Sequence, residues 1–587
     1  MPTSLSSRTG LSLLLAALLA ACATPVAPPA PATTAAAVDD DNADDAAGNA
    51  DEQQYPKQAM TPDLLFGFLV GDFAANTGNK ALAADTWLEL ARRTRDPRAA
   101  ERAVETSFQA GKAEDAIAAT RLWRELAPDN LRARQTQLSV LARTGQLKAA
   151  EAELDQWFTE RPADVPALLM QMHSFWAPQT DRRAVLAMTQ RLAGRYPKLP
   201  EASLSIALAA SRAGDVDTAL AASDTAIQLR PGWETAILFR ATLTDARSPE
   251  EAADYLRAAV QRQPKSRDLR SALAQQLSGI KRFDECYAVY GSLAKDYPDE
   301  VEYTVGLAQA AIQVQRYAEA ETALERALTL GVAKPQAIHY YLGLVTEEQG
   351  KLPVALKHYR EIEDGEHLPA ALTRIARIEA KLGHQDAALA AVNRLPTATG
   401  ADQVARIQLE AQIWRELKQL DKAREALDVG LAKHADSADL LYDRSLIYDQ
   451  QGDLDNAERD LRRYLTLKPD SPIGLNALGY TLANRSTRFE EAESLLQKAL
   501  SQEPDNPVII DSMGWLQYRR GNLAEAVKWL SRAFTTLRDP EIAAHYGEAL
   551  WQSGKHAEAR KIWEEGKKLD PGHEVLSETV QRLTTGR

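Results

Sequence analysis

Few residues in this chain have the spacing that catalysis or metal binding needs. Nine histidines are scattered at His173, His339, His358, His367, His384, His434, His545, His556 and His573, and none forms the His-Glu-x-x-His pattern that sets two zinc ligands one helical turn apart. Gly111-Lys112 and Gly554-Lys555 lack the upstream glycine and the following hydroxyl of a phosphate-cradling loop. Ser278 with Lys281, and Ser292 with Lys295, have the spacing at which a lysine can serve as base to a serine nucleophile, but the accompanying SDN and KTG elements are missing. Cys286 is an isolated thiol, and such a group can be a nucleophile. No G-x-S-x-G elbow occurs. The expectation is a protein that is not an enzyme and takes neither cofactor nor metal.

What positions side chains in such a chain must then be sought in its architecture. Among 587 residues there are only 10 Trp, 17 Tyr and 10 Phe, so small residues must do much of the packing. Two cysteines exclude a disulfide-stapled scaffold and a four-cysteine zinc site. The formal net charge is −13, whereas nucleic-acid recognition needs a basic face.

From residue 60 onward one small residue recurs, at Ala83, Ala116, Ala150, Ala184, Ala219, Ala252, Cys286, Ala320, Ala355, Ala388, Ala423, Ala457, Ala492, Ala526 and Ala559. The fourteen intervals lie between 33 and 35 and average 34.0. Five residues before it, nine units carry a glycine suited to a turn between two helices, among them Gly78, Gly214 and Gly521. Twelve residues after it, eight units carry a proline, from Pro128 to Pro571, where a second helix must stop. Twelve residues before it stand Gly71, Gly343, Gly514 and Gly547, which would let the first helix approach the alanine of the second. At Cys286 this phase predicts a buried helix contact rather than a reactive thiol.

The pattern resembles the tetratricopeptide repeat over about residues 64 to 572, roughly fifteen units. The resemblance implies an all-α superhelical solenoid of helix pairs, expected over residues 61–572, with residues 573–587 as a capping helix and tail. Two places depart from it. The fourth unit shows His173, Phe175, Trp176 and Pro178 instead of a turn glycine, and Pro396 to Asp402 reads as a longer loop. In this family first helices line a groove that binds proteins. The groove positions of the last three units are expected to hold Asn476 and Tyr480, then Asp511, Trp515, Tyr518 and Arg519, then Glu548 and Trp551. Aromatics and arginine tend to dominate protein interfaces.

The amino-terminal end has its own signature. Arg8 precedes a short leucine-rich run, too short to span a membrane, and the run ends in Leu19-Ala20-Ala21-Cys22. This resembles the lipobox of bacterial lipoproteins, which implies a signal peptide over residues 1–21 and acylation of Cys22, palmitate included. Ala23 rather than Asp after the cysteine implies release to the outer membrane. Residues 22–60, rich in Ala, Pro, Thr and Asp, lack apolar periodicity and read as a disordered tether with a root-mean-square span of about 35 Å. Seven acidic residues lie between Asp39 and Glu52 with no base between Cys22 and Glu52.

At the other end, Asn476-Ala477-Leu478-Gly479-Tyr480, Asp511-Ser512-Met513-Gly514-Trp515 and the stretch Asp539 to Gly547 resemble the carboxyl end of a group of proteobacterial outer-membrane lipoproteins. Some of these are adaptors that bind a periplasmic carboxyl-terminal processing protease and present peptidoglycan hydrolases to it. The resemblance implies a non-catalytic scaffold, lipid-anchored in the outer membrane and facing the periplasm, with periplasmic proteins as partners and no nucleic acid. A second class stays open: a scaffold for envelope biogenesis, in exopolysaccharide export or outer-membrane protein assembly.

Overall fold

A computed structural model describes residues 58–176 and 180–585. The signal peptide expected over residues 1–21, Cys22 and the tether as far as residue 57 lie outside the described residues. Among the described residues every regular element is helical, with thirty-one α-helices, two short 3-10 turns and no strand. None of these helices is long and apolar enough to cross a membrane.

Thirty helices run as fifteen pairs, from Pro62–Asn76 with Lys80–Thr94 to Pro540–Gln552 with His556–Leu569. This is the helix-pair solenoid that the 34-residue period predicts. Fourteen of the fifteen phase-marking small residues are at most 2% exposed. Cys286 is one of them. Its thiol donates to the carbonyl of Ala274 at 3.4 Å, and burial pushes its pKa up to about 12, so it packs rather than reacts.

All nine turn glycines have φ between +70° and +83°, the left-handed region that L side chains avoid. In three units the same turn is made without glycine, by Lys281, Gln315 and Lys418 at φ 61°, 61° and 59°. Second helices stop two residues before the phased prolines, as Ala113–Leu126 does before Pro128 and Leu454–Leu467 before Pro469. A Cβ added at Gly343 would overlap the Tyr359 ring, and one at Gly547 would overlap Trp563. These glycines accommodate the large side chain one turn beyond the alanine of the second helix.

The two irregular places also take shape. In the fourth unit the first helix shrinks to Val165–Gln171 and runs into a 3-10 turn, Met172–Ser174. Asp181 then caps Arg182–Ala193 through the backbone N–H groups of Arg183 and Ala184. Ala184 is in phase but only half-buried. The segment read as a loop from Pro396 to Asp402 ends earlier: Thr399 and Asp402 form a reciprocal capping box, and the helix Gly400–Glu416 begins inside the expected loop.

The chain divides into two compact units, residues 58–323 and 324–585 among those described. The first carries an apolar cluster that includes Trp87, Trp123, Trp157 and Phe158. The second ends in Glu574–Thr585, whose Leu576 is fully buried beside Ala544, Leu550 and Trp563. That helix covers the open side of the last pair. Its first residue, Glu574, also accepts from Lys418 in an earlier turn of the same unit.

Candidate functional site

Every residue expected at the site belongs to the last three first helices of the second unit. Each of these helices starts at a side-chain cap followed by proline. Ser471 accepts from Gly474 N, Asn506 from Val508 N, and Asp539 from both Glu541 N and Ile542 N. Satisfying the orphan N–H groups in this way fixes where each helix begins. Residues one repeat apart therefore meet on neighbouring helices.

Four of the eight expected residues come together around a residue the sequence reading did not select, His545. Its ring stacks on Trp515 with centroids 4.2 Å apart. Trp515 also stacks on Tyr518 at 4.8 Å. Tyr480 lies tilted 6.1 Å from His545. Asp511 Oδ2 is 2.9 Å from His545 Nδ1. Burial alone would hold the imidazole neutral, but the charge and hydrogen bond of Asp511 outweigh it and raise the pKa to about 9. At neutral pH His545 is thus a cation donating to Asp511 and lying over an indole, an arrangement that favours the charged form further.

The polar edge of this cluster is also tied down. Trp515 Nε1 donates to Asn484 Oδ1 at 3.0 Å, and Arg519, exposed, donates to the Asn484 carbonyl. Tyr518 donates to Glu548 Oε1 at 2.8 Å, while Arg582 of the last helix donates to Glu548 Oε2 at 2.6 Å. Burial, then the Glu548 charge, raises the Tyr518 phenol above its ordinary range. Trp515 is 8% exposed and Glu548 4%, so most of their surface is spent between helices. Trp551 stands apart. Half-buried, it packs on Trp563 at 5.4 Å and edge-on to His556 at 4.2 Å.

Two expected residues, Asn476 and Asp511, also face a cavity of about 1180 Å³ within the same unit. Its walls come from the first helices between Leu368–Lys381 and Pro540–Gln552. Asn476 Oδ1 and Asp511 Oδ1 are buried there without a hydrogen-bond donor. Arg377, Arg406 and Arg415 also line it. The sequence reading missed these arginines because only the packing of helices from separate repeats brings them together. Among the described residues no cluster of three or more His, Cys, Asp or Glu could hold a metal.

Comparison with known proteins agrees with the repeat. Tetratricopeptide repeat family models match residues 288–338, 305–367 and 410–472, and a second such model matches 483–544. A TPR repeat-containing protein of Pseudomonas aeruginosa, PA4667, is 29% identical over 529 residues, 90% of this chain and 89% of that protein. Among solved structures, a tetratricopeptide repeat protein from Parabacteroides merdae aligns with 48% of this chain and 98% of its own, at 19% identity and a TM-score of 0.31. The APC/C hetero-tetramer Cut9–Hcn1 aligns with 83% of this chain and 97% of that chain, at 13% identity and a TM-score of 0.29. The chain carries tetratricopeptide repeats, which imply protein partners.

Proposed function

We propose that this chain is a non-catalytic scaffold, lipid-anchored through Cys22 in the outer membrane, that gathers periplasmic proteins on its repeats. The observation that supports it best is the row of first helices in the second unit, which presents a cavity of about 1180 Å³ lined by aliphatic and charged side chains, Arg377, Arg406 and Arg415 among them. Surfaces of this composition suit protein recognition. The resemblance of the lipobox and of the carboxyl end to adaptor lipoproteins points to a carboxyl-terminal processing protease and its cell-wall hydrolase substrates as the partners. Holding both on one tethered chain raises their effective concentration, and avidity gains of about 10²–10⁴ need no new contact. On this reading Tyr480, Tyr518, Arg519 and Trp551, which keep exposed surface, are the contact residues, while Asn476, Asp511, Trp515 and Glu548 hold them in place.

Affinity purification of the full-length protein from detergent-solubilised membranes, beside a Cys22→Ser variant, tests the proposal. The intact protein should fractionate with the outer membrane and co-elute with a protease and a hydrolase, and the variant should appear in the soluble periplasmic fraction. Full membrane retention of the variant would refute the anchor. Elution of the intact protein alone would refute the scaffold.

A further inference from the structure

The first helix of the first unit, Pro62–Asn76, buries Leu64, Gly71 and Ala74, and Gly71 lies against the indole of Trp87. Its opposite face is open. Leu65, Phe66, Leu69 and Phe73 are 50%, 69%, 61% and 70% exposed. No other helix among the described residues exposes more than one large apolar side chain. An apolar patch of this kind marks an interaction site more often than chance exposure does.

The repeat shows what kind of group belongs on it. Counted from the small residue of each pair, Phe66, Leu69 and Phe73 have the phase of Leu475, Leu478 and Leu482. Those three are at most 2% exposed, in clusters with Leu461 and Leu465 of the preceding second helix, Leu454–Leu467. No pair precedes Pro62–Asn76 among the described residues, so the face that a helix covers later in the chain stays uncovered here. The sequence agrees: Pro62, Phe66, Leu69, Phe73 and Asn76 follow one another at 4, 3, 4 and 3 residues, the alternation by which one helix seats along another.

Two other occupants fit poorly. Between Cys22 and Gln58 the only large apolar residues besides proline are Val26, Val38 and Tyr55, too far apart to form a helical stripe. A lipid surface is disfavoured by charge, since Pro62–Asn76 carries Asp63 and Asp72 with no Lys or Arg, whereas helices that lie on membranes have basic polar faces.

We infer that this face pairs with itself, joining two copies of the chain through antiparallel Pro62–Asn76 helices. The seam is centred on Leu69, so a two-fold axis there sets Leu69 against its own copy and brings Leu65 and Phe66 beside the other copy's Phe73. In that register neither Asp63 nor Asp72 faces a carboxylate of the other copy, so like charges are not opposed. A phenylalanine can bury about 150–250 Å². The two faces together remove on the order of 1,000 Å² from water, the lower edge of a specific interface, which suits a reversible dimer. The inference needs neither the lipid anchor nor the scaffold reading.

The test uses residues 22–587 with Cys22→Ser, which keep every described element. Sedimentation equilibrium should show a monomer passing to a dimer as concentration rises, and Phe66→Ser with Leu69→Ser and Phe73→Ser should abolish the dimer while circular dichroism stays helical. If that variant fails to fold, cross-linking carries the test, because single exposed cysteines leave the fold alone. Leu69→Cys should form an intermolecular disulfide on mild oxidation at least about tenfold faster than Asn76→Cys, whose two copies would lie about 20 Å apart along the helices. A monomer at all concentrations up to about 0.1 mM, an unchanged dimer in the folded triple variant, or equal cross-linking at both positions would overturn the inference. So would binding to phosphatidylethanolamine–phosphatidylglycerol vesicles, lost in the triple variant, by a chain that stays monomeric in solution, which would give the face to lipid.

Discussion

Asp511 and His545 stand 34 residues apart, one repeat, and meet on neighbouring first helices with 2.9 Å between carboxylate and imidazole. Their side chains are 4% and 6% exposed. The repeat thus does more than stack similar helices, since it sets two different residues, one position out of phase, against each other as a buried ion pair.

Stability should fall as pH rises through the range in which this pair titrates. The folded-state pKa of His545 is raised from 6.5 to about 9, so between these values the native state binds more protons than the unfolded one. The stabilisation is complete below the lower value and lost as pH passes the upper one. Denaturant midpoints measured from pH 6 to 10 should decline across that window for the native sequence and stay flatter for His545→Gln. Asp511→Ala, which leaves a buried cation unpaired, should cost about 3–5 kcal/mol at neutral pH.

Two glycines should fail for different reasons when replaced by alanine. Gly214 has φ +78° with nothing within 4 Å of an added Cβ, so only the left-handed backbone opposes the change and the cost should be about 1 kcal/mol. Gly547 is helical, and its added Cβ would overlap the Trp563 indole, so the cost should be overpacking of about 1–3 kcal/mol. Adding Trp563→Leu should recover stability only in the Gly547→Ala background. Chemical unfolding of the four variants checks this.

The thiol of Cys286 offers a probe of the first unit. It is 2% exposed and its pKa is pushed up to about 12 by burial. In a Cys22→Ser chain it is the sole cysteine. Alkylation should therefore be slow in native buffer and should accelerate in parallel with loss of helical signal in urea. Rapid labelling without denaturant would show that the helix contact at this phase opens locally.

The solenoid was legible because each repeat must solve the same two steric problems, a close helix contact and a reversal of the chain. Alanine and glycine solve them most simply, so both recur in phase. Lys281, Gln315 and Lys418 show that the turn follows the phase even where the residue type does not. Ala184 shows the converse: it keeps the count while its unit shortens and leaves it half-buried. The start of Gly400–Glu416 was legible too, since Thr399 and Asp402 have capping-box spacing, but the neighbouring proline and glycine drew the reading toward a loop. The site was legible only in part. Asp511, Trp515 and Glu548 could be placed on first helices, but their partners there are His545, Asn484 and Arg582, each about one repeat away and silent in local sequence.

The last prediction separates residues that hold the surface from residues that touch a partner. Trp515 is stacked with both His545 and Tyr518, and its indole N–H is bonded to Asn484. Trp515→Ala should therefore empty a packed site and destabilise by about 3–5 kcal/mol, lowering binding only as far as it lowers the folded fraction. Arg519 is exposed, and Trp551, apart from the His545 cluster, is half-buried. Loss of the Arg519 side chain removes hydrogen bonds to Asn484 at the surface, and should shift stability by less than about 1 kcal/mol. If these two residues meet a partner, Arg519→Ala and Trp551→Ala should each weaken partner binding by about 2 kcal/mol at a nearly unchanged melting temperature for Arg519→Ala. Melting curves and partner affinities on the same three variants decide it, and unchanged affinity in both Arg519→Ala and Trp551→Ala would move the interface elsewhere on the repeats.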